Sequence, residues 1–307
     1  MSSPLDPIIR RHLQWMEPIP TDVQPVLRRL EGVRAALFDI YGTLLISASG
    51  DVEASQEAAR GAAFTAALAA AGVDFRGDAQ QGVQCLWDQI AEEHRQASRA
   101  GIEYPEVDLV QVWRQTLVRL AGEGLAAPRA GSFTPGSGGP GGPSDGDLQR
   151  LACEYEMRVN PVWPMPGARQ CLEKLQAAGL LLGLISNAQF LTLDLWRLLL
   201  EADAGGFEFD QQLQYYSYQY GRAKPGTELY ELAAKGLAER GIGTAEVVYI
   251  GNDMLKDILP AGAVGFRTAL FAGDARSLRR RENDLRVSGV VPDLVITELS
   301  DLPACIG

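Results

Sequence analysis

Three apolar runs each stop abruptly at polar residues: "AALFD" (35–39), "LLLGLISNA" (180–188) and "AEVVYIGND" (245–253). A run with no alternation of apolar and polar positions has no face to give to water. It must be covered on both sides, which is the environment of a parallel sheet between helical layers. Amphipathic stretches separate these runs, among them "PGARQCLEKLQAAG" (166–179), a segment at about 189–202 and "GTELYELAAKGLAERG" (226–241). Two further strand candidates follow, "FRTALFA" (266–272) and "DLVIT" (293–297), and a short one lies within "LQYYSYQYG" (213–221). Strands alternating with helices predict an α/β fold, a Rossmann-like parallel sheet covered on both faces.

The alternation is interrupted once. Between the first and second strands the chain reads as helix after helix, with Ala-rich stretches such as "EASQEAARGAAFTAALAAAG". The expected organisation is an N-terminal helical extension over 1–33, broken by Pro18, Pro20 and Pro25; a core made of 34–50 and 160–307; and an inserted helical domain over 51–159. Within the insertion, "PRAGSFTPGSGGPGGPSDGD" (128–147) is too rich in Gly, Pro and Ser to bury apolar surface and is expected as a flexible loop.

Composition excludes several classes. A formal net charge of −11 repels phosphate backbones and anionic lipid, so neither nucleic acid nor a membrane surface is an expected partner. No run reaches the roughly 18 apolar residues of a membrane span, and the first twenty residues lack a secretory apolar core. Cys85, Cys153, Cys171 and Cys305 are widely spaced without a CxxC pair, which fits reduced thiols and a cytoplasmic location. With only His12 and His94 present, a histidine-rich metal site is excluded.

Ligands of open parallel sheets bind beyond the carboxyl ends of the strands. Those ends carry Asp39, then Ser186 and Asn187, then Asn252 and Asp253 with Asp257 one turn later. Lys224 lies in the loop "GRAKPGTELY" (221–230). Individually each has an ordinary reading: a turn-capping acid, a helix N-cap, a solvated lysine, first-turn acids favoured by the helix dipole. Asp253 and Asp257, four residues apart, are expected on one helical face. The basic run "RSLRRREND" (276–284) reads as a solvated helix face of mixed charge. In the insertion, His94, Arg95, Arg99, Tyr104, Glu106 and Asp108 surround a helix break at "GIEYPEVD" and are candidates for reading a substrate.

In chain order, "FDIYGTLL", "LISNAQ", "AKPGTELYELA" and "YIGNDMLKDILPAGAVG" resemble the four motifs of the haloacid dehalogenase superfamily. The helical insertion sits where that superfamily carries a C1-type cap. The resemblance implies a hydrolase in which Asp39 is the nucleophile of a covalent aspartyl intermediate. Gly42 and Thr43 would form the turn around the site, Ser186 and Asn187 would contribute motif II, and Lys224 would balance charge. Asn252, Asp253 and Asp257 match the motif that holds magnesium, with Asp39 and the Tyr41 carbonyl completing the metal set.

Tyr41 departs from the phosphatase pattern, which has an aspartate acid–base there. A phenol with a pKa near ~10 is a poor base at neutral pH. The family's dehalogenases do carry D-x-Y-G-T, and a departing halide needs no proton. Three readings follow: magnesium-dependent hydrolysis of a small phosphate ester, a metal-independent 2-haloacid dehalogenase, and a catalytically weakened anion-binding protein. The first leads, with a small anionic molecule as partner. A homodimer through the N-terminal extension is compatible with all three.

Overall fold

The computed structural model describes residues 3–48, 57–129, 131–133, 142–200 and 207–306. The chain divides into two compact units. One comprises Met1–Gln14, Val52–Pro161 and Gln189–Leu195, and the other Trp15–Asp51, Val162–Ala188 and Trp196–Gly307.

The second unit is built on a six-stranded sheet. Its strands are β1 (Ala35–Phe38), β2 (Leu181–Ser186), β3 (Gln214–Tyr216), β4 (Val247–Gly251), β5 (Arg267–Phe271) and β6 (Leu294–Ile296). Their spatial order is β3-β2-β1-β4-β5-β6, and every pairing is parallel. β1 is central, with Ala35 opposite both Leu181 and Val247. All residues of β1 and β4 are buried, as their unbroken apolar runs require. On one face Ala35, Leu37, Ile185 and Tyr249 pack with Leu229, Ala233 and Leu237 of the helix Glu228–Ala238. Chain order reverses at β1, whose neighbours are β2 and β4. The loops leaving these three strands therefore open a crevice at one edge of the sheet.

The insertion leaves and returns through an antiparallel ribbon, Leu45–Ser47 paired with Val162–Pro164. Residues from Trp15 to 33 are not helical but run extended along the β6 edge. Ile19 N donates to Asp274 Oδ1 at 3.0 Å, and Thr21 Oγ1 to the Ala272 carbonyl at 2.7 Å. Val26 and Val295 exchange both backbone hydrogen bonds, and Leu30 N donates to the Cys305 carbonyl. An exposed parallel edge is thereby covered. The expected helical extension over 1–33 thus holds a single described helix, which belongs to the other unit.

That first unit contains helices α1 (Asp6–His12), α2 (Glu57–Ala70), α3 (Ala79–Arg99), α4 (Leu109–Gly122) and α5 (Asp145–Val159). Phe64 stacks on Trp113 with centroids 5.5 Å apart, and Tyr155 meets Trp113 edge-on at 5.5 Å. Asp78 and Asp108 cap α3 and α4, and a Ser144–Asp147 capping box starts α5. The expected loop over 128–147 is accordingly shorter, because Pro128 ends a strand and helix begins at Asp145. Residues 130 and 134–141 lie outside the described residues. Gln189–Leu195, read as core from the sequence, belongs to this unit, where Phe190 packs on its apolar centre. Cys85, Cys153, Cys171 and Cys305 are free and buried. Among the described residues no helix is long and apolar enough to cross a membrane.

Glu154 of α5 gathers two arginines and a histidine. Arg11 Nη1 lies 3.0 Å from Oε1, His12 Nε2 2.9 Å from Oε2, and Arg158 pairs with Oε2 from one turn on. Burial alone would raise the Glu154 pKa, but hydrogen bonds from His12 and Arg158 bring it below its ordinary value. A depressed carboxyl stabilises the fold fully above its unfolded pKa and loses that contribution as pH falls through the folded one. Acid unfolding of this unit should therefore steepen below the ordinary glutamate range. Glu154→Gln should flatten the decline of denaturant midpoint between roughly pH 5 and pH 3, measured by circular dichroism.

Candidate active site

Asp39 follows β1 directly and its amide donates to the Ile250 carbonyl, so the strand register continues to the acid itself. The chain then turns sharply, with the Ile40 carbonyl accepting from Leu44 N and Leu45 N. Gly42 adopts φ +81° within this turn. A Cβ there would lie 2.6 Å from Ser277 Cβ and 2.7 Å from Asn252 Nδ2, so both conformation and space require glycine. Asp39 is 7% exposed. Its Oδ1 accepts from Ser186 Oγ at 2.9 Å and from Lys224 Nζ at 2.7 Å. Among the described residues no hydrogen-bond donor reaches Oδ2.

Lys224 is buried although it comes from a loop. Asn187 holds its main chain from both sides, accepting from Lys224 N at 2.7 Å and donating to the Lys224 carbonyl at 3.0 Å. The ammonium donates to Asp39 Oδ1, to Asp257 Oδ1 at 2.6 Å and to Tyr249 Oη at 3.1 Å. Burial alone would lower the lysine pKa, but the charges of Asp257 and Asp39 outweigh it and hold the ammonium above its ordinary value. Two carboxylates share this one cation, and burial pushes the Asp257 carboxyl upward.

The segment after β4 begins with a π turn, Met254–Ile258. Ile258 N reaches back to the Asp253 carbonyl and Leu259 N to that of Met254. Asp253 is the extended N-cap of this turn, at φ −122° and ψ 120°, so the two acids that were expected on one face serve different partners. Asp257 turns inward, with Oδ1 on Lys224 and Oδ2 accepting from Asp253 N at 2.9 Å. Gly251 makes room for it, since a Cβ there would lie 2.4 Å from Asp257 Cγ. The Asp253 carboxylate instead caps the turn through Leu255 N and Lys256 N and takes a forked ion pair from Arg281, 3.2 Å from Oδ1 and 2.7 Å from Oδ2. Burial alone would raise its pKa, but Arg281 brings it below the ordinary value.

Asn252 Nδ2 donates to the Ser277 carbonyl at 2.6 Å, which leaves Oδ1 facing Thr43 Oγ1 at 3.2 Å. The run 276–284, expected as a solvated helix, is an irregular loop. It buries Ser277, and its Arg279 exchanges backbone hydrogen bonds with Asn252 and Met254. Tyr249, Ser277 and Arg281 were all missed at the sequence level. Only Tyr249 carried a signal, as a hydroxyl sent into an otherwise aliphatic buried strand.

The candidates from the insertion form no comparable cluster. Arg95 pairs with Glu92 at the surface, Arg99 is exposed, and Asp108 caps α4. His94 is partly buried, which lowers its pKa. Tyr104 is half-buried at the same break. Glu106 Oε1 accepts from Val107 N and, at 3.2 Å, from Gln189 Nε2. Gln189 also donates to the Val107 carbonyl and accepts from Leu109 N, so it fixes the turn before α4.

The tight fit at Gly251 makes a sharp test. Gly251→Ala should displace Asp257 from Lys224 and lower hydrolytic turnover by at least on the order of a hundredfold. It should leave the far-ultraviolet circular dichroism spectrum intact; unchanged turnover would show that the Asp257–Lys224 contact is dispensable.

The model of the haloacid dehalogenase-like hydrolases matches residues 33–265. A glyceraldehyde 3-phosphate phosphatase of Methanocaldococcus jannaschii is 32% identical over 114 residues, 37% of this chain and 46% of that protein. A ribulose-1,5-bisphosphate 5-phosphatase of Halopiger xanaduensis is 28% identical over 167 residues, 50% of this chain and 66% of that one. The matched stretches thus span less than two thirds of either relative. Among solved structures, a 2-haloacid dehalogenase from Pseudomonas syringae pv. Tomato has TM-score 0.53 at 18% identity, covering 89% of this chain and 97% of its own. That likeness bears on the fold alone. With well over half of its residues matched by the family model, the chain belongs to the haloacid dehalogenase-like hydrolases.

Proposed function

We propose that this chain hydrolyses a small phosphate ester through an aspartyl-phosphate on Asp39, with magnesium as cofactor. The observation that carries the reading is the asymmetry of the Asp39 carboxylate. Oδ1 is held by Ser186 and Lys224, while Oδ2 accepts from no described donor. A carboxylate anchored through one oxygen presents the other in a fixed direction, which is what a nucleophile needs. That both curated relatives are phosphatases supports the phosphate over the carbon centre.

The oxygens present suit magnesium. The Asp39 carboxylate, the Tyr41 main-chain carbonyl and Asn252 Oδ1 are hard donors, and magnesium keeps several waters, so one carboxylate with two neutral oxygens suffices. Asn252 is fixed oxygen-inward because its nitrogen serves the Ser277 carbonyl. Asp253 is left out of the set, since Arg281 and two amides occupy its carboxylate. Bound there, the metal would neutralise phosphoryl charge.

Asp39 Oδ2 attacks phosphorus and the ester P–O bond breaks. The departing alcohol oxygen takes its proton from water, because Tyr41 stands where an acid would serve. Ser186 Oγ and the Lys224 ammonium hold the attacking carboxylate and offset the charge gathered around it. A second water then cleaves the acyl phosphate, releasing phosphate and restoring the Asp39 carboxylate. The helical unit would act as the cap that selects the substrate.

Tyr41 and the neutral Asn252 favour one competing reading, displacement of halide from a short 2-haloacid without metal. A screen of phosphorylated metabolites and haloacids, with and without magnesium, separates the two. Phosphate release that disappears with EDTA and with Asp39→Asn is expected; halide release insensitive to EDTA would replace the phosphatase reading. The ligand set is tested by magnesium titration. Asn252→Ala should raise the magnesium needed for half-maximal turnover by on the order of tenfold. Asp253→Asn should lower the melting temperature and leave that requirement unchanged.

A further inference from the structure

Tyr249 is fully buried in β4, two residues before Gly251. Its hydroxyl oxygen lies 2.9 Å from the Ile185 carbonyl, 3.1 Å from Lys224 Nζ and 3.1 Å from Asp257 Oδ1. The available protons assign these contacts. An ammonium has three hydrogens and a phenol one. Two lysine hydrogens go to Asp39 Oδ1 at 2.7 Å and Asp257 Oδ1 at 2.6 Å. The third goes to Tyr249 Oη, which is nearer than the remaining oxygen, the Ile185 carbonyl at 3.4 Å. The tyrosine's own hydrogen goes to that carbonyl, its closest acceptor, since Asp257 Oδ1 already receives one from lysine.

The ring is held as firmly as the hydroxyl. Tyr230 packs against it edge-on, with centroids 5.0 Å apart, and the Tyr230 hydroxyl donates to the Lys256 carbonyl at 2.8 Å, one residue before Asp257. Tyr249 thereby ties the end of β2, the lysine and the π turn into one network.

We propose that Tyr249 is a positioning residue for the hydrolytic reaction, its hydroxyl taking the third hydrogen of the Lys224 ammonium so that the other two stay on Asp39 and Asp257. The role rests on the reading of Asp39 as nucleophile. In Tyr249→Phe the third hydrogen loses its acceptor, and the nearest remaining oxygen is the Ile185 carbonyl, itself newly deprived of a donor. The ammonium turns toward it and loosens its hold on Asp39 Oδ1. The loss falls on the attack by Asp39 rather than on substrate binding, so kcat changes and KM does not.

The test uses Tyr249→Phe in the full chain, which keeps the ring and its packing, with two measurements. In the 15N-labelled protein, a lysine ammonium resonance assigned to Lys224 by its loss in Lys224→Met should be observable, because hydrogen-bonded ammonium protons exchange slowly. It should broaden beyond detection in Tyr249→Phe. With p-nitrophenyl phosphate and magnesium, kcat should fall roughly tenfold to a hundredfold with KM within about twofold. A Lys224 resonance that persists unchanged in Tyr249→Phe overturns the proposal, as does the absence of that resonance in the unsubstituted protein. Failure of the unsubstituted protein to turn over p-nitrophenyl phosphate counts against the phosphatase reading instead, and the resonance still decides the role of Tyr249.

Discussion

One ammonium between two carboxylates organises the sheet-bearing unit. Lys224, Asp39 and Asp257 are all buried, and removing three charges from water is costly unless each is matched by short, directed contacts. The surrounding structure supplies them. β1 delivers Asp39 in register, Asn187 grips the lysine main chain from both sides, and the π turn swings Asp257 inward against a residue that has no Cβ. Buried ion pairs are seldom the most stable solution for a core, so an arrangement this tightly supported is better understood through its chemistry. The strand order makes it feasible, since β2, β1 and β4 are adjacent and end on the same edge.

Two neutral residues set the electrostatic balance of that edge. Where the resemblance leads one to expect an aspartate the chain has Tyr41, the amide of Asn252 carries no charge, and Arg281 neutralises Asp253. What remains at the centre is two carboxylates against one lysine. A divalent cation would invert that local charge and favour an anionic substrate, whereas without one Asp39 would stand in an environment of low charge. The same residues therefore sharpen the contest between a phosphoryl and a carbon centre.

Much of this was legible in the chain itself. Asp39, Ser186, Asn187, Lys224 and Asp257 stood out because each interrupts or follows an apolar run at a strand end or in the adjoining loop. The parallel sheet was legible because its strands have no polar face. What escaped depended on partners far away in sequence. The proline-rich segment after Trp15 read as broken helix, and its extended form is dictated by Val295 and Cys305, which local pattern cannot reveal. The arginines of 276–281 read as solvated, yet the main chain of Ser277 and Arg279 braces Asn252. Pairing Asp253 with Asp257 assumes that both lie in a helix, whereas Asp253 is its extended N-cap. Tyr249 was hidden by its classification, since a tyrosine in a core strand counts as apolar until its hydroxyl is located.

The strap along β6 also has a consequence for the order in which the molecule can assemble. Val26 pairs with Val295 and Leu30 with Cys305, so the strap must wait for partners that are made only after β1 to β5. β1 itself must wait for β2 and β4. The helices between Val52 and Pro161 find most of their partners within that interval and can pack while synthesis continues. The sheet, dominated by contacts distant in sequence, closes late, and the strap completes it only once β6 is available.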